Sequence, residues 1–188
     1  SEHTTASVAR KVSKGYVGVG GVARKIKKAY IGVGGVARPC WSGGELAYYG
    51  TVTNLSNIRY NLAATTVGDY ALFGGGETGM TILGIVDAYD KSLVRSTPGA
   101  LGDSRRLLAA TTVGNYALFG GGVNDYEVFK VVDAYNTSLV KSMASSLTVA
   151  RYDLAATTVG DYALFAGGYT TAMYSYRNTV NAYSSSLV

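Results

Sequence analysis

The sequence predicts an all-β fold made of repeated antiparallel units, with a β-hairpin arm in front of them. Three observations carry that prediction. The 188 residues include 25 glycines and 16 tyrosines but only 2 prolines, the composition of strands joined by tight turns. A long repeat recurs at a period of 46, as "LAATTVGDYALFGGG" from Leu62, "LAATTVGNYALFGGG" from Leu108 and "LAATTVGDYALFAGG" from Leu154. A shorter repeat recurs at a period of 14 nearer the N-terminus. With 47% hydrophobic and 15% charged residues the chain can bury a core.

The short repeat defines a first region, residues 1–45. "VARKVSKGYVGVGG" from Val8 is followed by "VARKIKKAYIGVGG" from Val22, and "VARPCW" from Val36 begins a third copy. Gly20-Gly21 and Gly34-Gly35 each sit between β-prone segments, which is hairpin chemistry. The expected result is a small β-meander, too few strands to be stable alone in water and so packed on another copy or another protein. The region holds eight basic residues against two acidic ones, Glu2 and Glu45, whereas the remainder carries a net charge of −1. The basicity therefore belongs to an arm. Arg10, Lys14, Tyr16, Arg24, Lys28, Tyr30, Arg38 and Trp41 are its candidate assembly residues. Arg10, Val12 and Lys14 alternate with Lys11 and Ser13, so charge falls on both strand faces. A partner-facing hairpin is simpler than a nucleic-acid grip, which strong salt dependence of binding would reveal.

The long repeat defines a second region, residues 46–188. "LAATTV" is small and β-branched and suits a tightly packed inner strand. Gly68-Asp69, Gly114-Asn115 and Gly160-Asp161 then supply hairpin turns. "YALF" is short and apolar enough for a fully buried strand, and the glycines after it end that strand and admit another backbone. "VDAYDKSLV" from Val86, "VDAYNTSLV" from Val132 and "VNAYSSSLV" from Val180 complete each unit with a third strand and the start of a fourth. Four antiparallel strands in ~40–50 residues is the pattern of a β-propeller blade.

The residues of this unit resemble the kelch repeat: an arginine before a small-residue strand, Gly-Asp or Gly-Asn, an apolar strand ending in a Gly doublet, and a strand ending in Tyr-Asp. In the first copy these are Arg59, Gly68, Asp69, Gly74, Gly75, Tyr89 and Asp90; in the second, Arg105 or Arg106, Gly114, Asn115, Gly120, Gly121 and Tyr135; in the third, Arg151, Gly160, Asp161, Gly167, Gly168 and Tyr183. The kelch tryptophan is missing, with Leu93, Leu139 and Leu187 in its neighbourhood, so the resemblance implies the architecture and not a detailed kelch function. The arm in turn resembles Gly-Gly hairpin segments of tail and other virion-associated proteins of bacteriophages and prophages, on Tyr16-Val17-Gly18-Val19-Gly20-Gly21 and Tyr30-Ile31-Gly32-Val33-Gly34-Gly35.

Strand counting adds an expectation about assembly. Leu46–Ser56 aligns with the third and fourth strands of a unit, while the chain stops where its last fourth strand would begin. The fragment is thus placed to supply that strand. About three blades fall below the roughly four that close a ring, so a homo-oligomer, or another virion protein as partner, is expected to complete it.

Catalytic chemistry is scarce. His3 is the single histidine and Cys40 the single cysteine, so a histidine base, a triad, an intramolecular disulfide and a cysteine metal cluster have no residues to use. Glu77, Asp103, Asp125 and Glu127 share no recurring spacing. Asp87, Asp133 and Asn181 recur with the units, which suits the capping of backbone amides. "GVGGVAR" and "FGGG" do not fit a phosphate-binding loop. The expectation is a protein without catalytic residues, metal or cofactor.

Between near-identical strands one segment diverges: Glu77–Ile85, Val123–Val131 and Tyr169–Thr179. Tyr126, Phe129, Tyr169, Tyr174, Tyr176 and Arg177 are therefore the candidate rim residues, of types that give large contact area at low entropic cost and, as aromatic rings, stack on sugars; outer-strand packing is the other use for them. Ser1–Lys11 lacks the apolar core of a secretory signal, and no apolar run reaches the ~18 residues of a membrane helix. The first functional expectation is a non-enzymatic virion or tail-associated structural protein, made in the cytoplasm, whose rim contacts a surface glycan or protein. A cellular kelch-like protein-interaction scaffold is the alternative, and a propeller enzyme acting on glycans a third.

Overall fold

In the computed structural model, residues 48–170 and 175–185 are described with their side chains, and four further strands within residues 16–42 by their backbone. All regular structure among them is antiparallel β, with no helix. The chain forms two compact units, Ser1–Thr51 and Val52–Val188.

Among the described residues the N-terminal unit contains two hairpins. Strand β1 (Tyr16–Val19) pairs with β2 (Val22–Lys25), and β3 (Lys28–Val33) with β4 (Val36–Ser42). The pairs close at Val19–Val22 and Val33–Val36, the residues that flank the two Gly-Gly dipeptides. Among the described residues β2 and β3 do not pair, so the two hairpins stand as separate sheets where a small β-meander was expected. Gly-Gly makes a local two-residue closure cheap, whereas "KIKK" between the hairpins has no turn former and concentrates like charge.

Among the described residues the C-terminal unit contains four sheets. The first has the order β5 (Ala63–Val67), β6 (Tyr70–Gly74), β7 (Val86–Tyr89) and β8 (Arg95–Ser96). The second repeats it with β9 (Ala109–Val113), β10 (Tyr116–Gly120), β11 (Val132–Asn136) and β12 (Lys141–Ala144). The third has three strands among the described residues: β13 (Ala155–Val159), β14 (Tyr162–Ala166) and, last in the chain, β17 (Val180–Ser184). A small fourth sheet, β15 (Tyr169–Thr170) with β16 (Ser175–Tyr176), occupies the longer segment of the third repeat. Among the described residues, 48–56 form no strand and no strand is paired to the outer side of β17.

The large sheets pack face on face, with β5 beside β9 and β9 beside β13. Thr65 and Thr112 share a hydroxyl hydrogen bond of 2.7 Å, and Thr111 and Thr158 one of 2.8 Å, which tie neighbouring inner strands together. Side chains alternate across each strand. In β10, Ala117 and Phe119 face the first sheet, where they join Val67, Leu72, Val86 and Ala88 in one apolar cluster. Leu118 faces the other way and joins Ala163, Phe165 and Tyr183 of the third sheet in a second. Gly74 explains its own identity here: a Cβ on it would stand 2.8 Å from the Phe119 ring, as one on Gly120 would from the Phe165 ring. Only glycine leaves room for that ring. The third copy carries Ala166 instead.

A buried arginine anchors each sheet. Arg59 donates through Nη2 to the Phe73 carbonyl at 3.1 Å and to Asp87 at 2.7 Å. Arg105 makes the same two bonds to Phe119 and Asp133, and Arg151 to Phe165 and Asn181. Arg105, not Arg106, is thus the structural arginine of the second repeat. The acids also accept backbone amides, Ser56 N–H on Asp87 and Gly102 N–H on Asp133, as their recurrence suggests. The tyrosines of "AY" stand edge-on to the phenylalanines and donate to the carbonyls of Thr53, Gly99 and Ser145.

Candidate functional site

Directly before each inner strand, two residues break the identity of the repeats: "RYNLAATTV", "RRLLAATTV" and "RYDLAATTV". Their backbone is held the same way each time. Tyr60 exchanges a pair of backbone hydrogen bonds with Glu77, Arg106 with Val123, and Tyr152 with Tyr169, all between 2.8 and 3.0 Å. Asn61, Leu107 and Asp153 all adopt φ near +54°. The amide of Leu107 donates to the Asn61 carbonyl and that of Asp153 to Leu107, so this frame runs from one sheet to the next. One backbone geometry, used three times, carries Tyr60, Arg106 and Tyr152 at its first position and Asn61, Leu107 and Asp153 at its second.

Those side chains assemble two groups. In the first, the buried Glu77 accepts from Asn61 at 2.9 Å and from Arg106 at 2.6 Å, and Arg106 also reaches Asp125 at 3.4 Å. The guanidinium therefore bridges the variable segments of the first two repeats, one carboxylate from each. In the second, the Tyr169 ring lies edge-on between Tyr152 and Tyr176, both centroids 5.4 Å away. Tyr176 is 87% exposed. The β15–β16 pairing is the third repeat's counterpart of the Glu77–Ile82 and Val123–Val128 bridges, and Tyr169 pairs with Tyr176 in its register, which is why the rings meet.

The rim residues expected from sequence divide accordingly. Tyr169 and Tyr176 are brought together, with the half-buried Arg177 next in the chain donating its amide to the Gly168 carbonyl. Tyr126 projects into solvent at 95% exposure, on a turn closed by its own and the Glu127 amides donating to Asn124 Oδ1. Phe129 is a packing residue: it is buried, and its carbonyl accepts from the Arg151 amide, because position 129 runs back beneath the loop toward the sheet. Tyr174 lies outside the described residues.

Of the arm residues, Tyr16, Arg24, Lys28, Tyr30, Arg38 and Trp41 fall in strands, with Tyr16 opposite Lys25, Tyr30 opposite Pro39, and Arg38 opposite Ile31. Arg10 and Lys14 lie outside the described residues. Sequence reasoning missed Tyr60, Asn61, Glu77, Arg106, Tyr152 and Asp153 as members of the variable frame. The signal was present, since positions 60 and 61 are the variable ones within that otherwise constant stretch.

A groove of about 260 Å³ lies elsewhere, between β12 and β17, lined among others by Val113, Leu118, Met143 and Tyr183. None of the rim residues borders it. Among the described residues no cluster of histidine, cysteine or carboxylate side chains could hold a metal ion, and no helix is long and apolar enough to cross a membrane. Comparison with protein-family models and with curated proteins finds no match to this chain.

Proposed function

We propose that the chain is a non-enzymatic binding protein whose C-terminal unit is a set of kelch-like propeller blades, completed by a partner chain, and whose variable end recognises a surface glycan. One observation carries the reading: packing residues are held constant through three repeats, while the residues of a single backbone frame differ and gather an Arg–carboxylate group and a tyrosine cluster. Exposed tyrosine rings stack on sugar faces, and charged groups fixed by hydrogen bonds orient hydroxyls. Glu77 is already engaged by Asn61 and Arg106, which suits positioning better than proton transfer. The N-terminal hairpins act as the assembly element, and their resemblance to virion-associated segments supports a phage-type particle as its setting.

A glycan array probed with the intact chain tests this. Tyr176→Ala and Arg106→Ala are expected to weaken the strongest signals at least tenfold while leaving the fold intact. Unchanged binding by both variants would remove the variable end from recognition, and binding to protein ligands alone would favour the scaffold reading.

A further inference from the structure

Two tight turns stand at the variable end, one repeat apart and built alike. The bridges Glu77–Ile82 and Val123–Val128 close them at the base. Across the first, the Thr78 amide donates to the Thr81 carbonyl at 3.0 Å, and the Thr81 amide to Thr78 Oγ1 at 3.2 Å. Across the second, the Asn124 amide donates to the Glu127 carbonyl at 3.0 Å, and Asn124 Oδ1 accepts the Tyr126 and Glu127 amides. The same position of each turn thus carries a short polar side chain that ties the loop down. In these turns Met80 and Tyr126 stand one period apart and are 99% and 95% exposed.

A single exposed apolar residue is ordinary on a protein surface. Met80 and Tyr126 differ in that an ordered turn, fixed by its own side chain, holds each in water at the same place in two repeats. Neither joins an apolar cluster among the described residues. Large side chains held in this way bind a ligand without a loop-ordering cost. An ion pair links the two turns. Arg106 Nη1 meets Glu77 at the base of the first turn, and its Nη2 meets Asp125, the neighbour of Tyr126, in the second. Asp125 and Glu127 flank Tyr126 and are both exposed.

We infer that these two turns contact a neutral glycan whose sugars carry methyl groups, as a 6-deoxy carbon or an N-acetyl substituent, which rests on the glycan reading and narrows it. A tyrosine ring stacks on the C–H face of any sugar. Met80, however, finds little that is apolar on an unsubstituted hexose. A methyl group supplies that contact, and the unbranched thioether chain adapts its shape to cover it. Anionic sugars are disfavoured. Their carboxylate, sulfate or phosphate would meet Asp125 and Glu127, while the nearby guanidinium of Arg106 is already shared between two carboxylates. Like charges set against a competing ligand give selectivity without any added contact to the preferred one.

Binding of the intact chain to albumin conjugates tests this, with thermal melts to confirm that each variant is folded. Each conjugate carries one sugar: a parent hexose, its 6-deoxy form, its 2-acetamido form or its uronate, in the galacto, gluco and manno configurations. In at least one configuration the 6-deoxy or the 2-acetamido member is expected to bind about fourfold or more tightly than the parent, as one buried methyl group contributes. Whichever of the two is tighter identifies where the methyl comes from. The uronate binds more weakly than the parent. Met80→Ser and Tyr126→Ser each reduce the preference for the methyl-bearing sugar, and Asp125→Asn narrows the gap to the uronate. Equal binding of parent and methyl-bearing sugars, a uronate that binds best, or a preference unmoved by both serine variants overturns the inference while leaving glycan binding standing. No binding to any conjugate removes both.

Discussion

At the residue scale, the buried arginines decide the charge balance of each sheet. Arg59 and Arg105 meet carboxylates, but Arg151 meets the amide of Asn181. Burial lowers the pKa of Arg151, only partly offset by the nearby Tyr183. A hydrogen bond to a charged partner contributes about 1.5–3 kcal/mol. Asp133→Asn is therefore expected to lower stability by about 2 kcal/mol in chemical denaturation, and Asn181→Asp to raise it by less, since position 181 is half-exposed. The tyrosines add a pH dependence. Burial raises the pKa of Tyr135, reinforced by Asp133 and opposed by Arg105, and burial likewise raises that of Tyr183 against Arg151. Above the ordinary tyrosine value of about 10, the unfolded chain releases protons that the folded one keeps. Stability is then complete below that pH and falls as pH rises through it. Melting temperatures at pH 9 and pH 11 should show the drop, and Tyr135→Phe should shrink it.

At the scale of elements, the sheet interface explains which letters of the repeat are fixed. Phe119 needs Gly74 beneath it and Phe165 needs Gly120. Gly74→Ala is expected to cost about 1–3 kcal/mol through overpacking, read as a lower denaturation midpoint. The hairpin turns, the order of strands within each sheet and the "YALF" core strands were all legible in the sequence, because period-2 burial and turn glycines are local signals. The separate arm hairpins, the β15–β16 pair and the burial of Phe129 were not. Each depends on which neighbour a strand or loop finds, and an aromatic in a variable segment reads the same whether it points outward or inward. Arg105 and Arg106 could not be told apart for a related reason: adjacent identical side chains diverge only once the strand sets which one faces the carbonyl of Phe119.

At the scale of the whole molecule, near-identical packing strands alternate with segments that vary from repeat to repeat. Asn61, Glu77, Arg106, Asp153 and Tyr169 depart from their repeat counterparts at the variable end. Binding and stability measurements therefore report on different positions of one repeat. The sequence by itself determined the all-β class, the unit length, the turns and the residues that pack, since all of these follow from periodicity and local backbone preference. Only the tertiary structure decided which of those residues stay uncovered, and which variable side chains share a frame. Burial and proximity are properties of neighbours brought together across a whole period of chain, and no local pattern contains them.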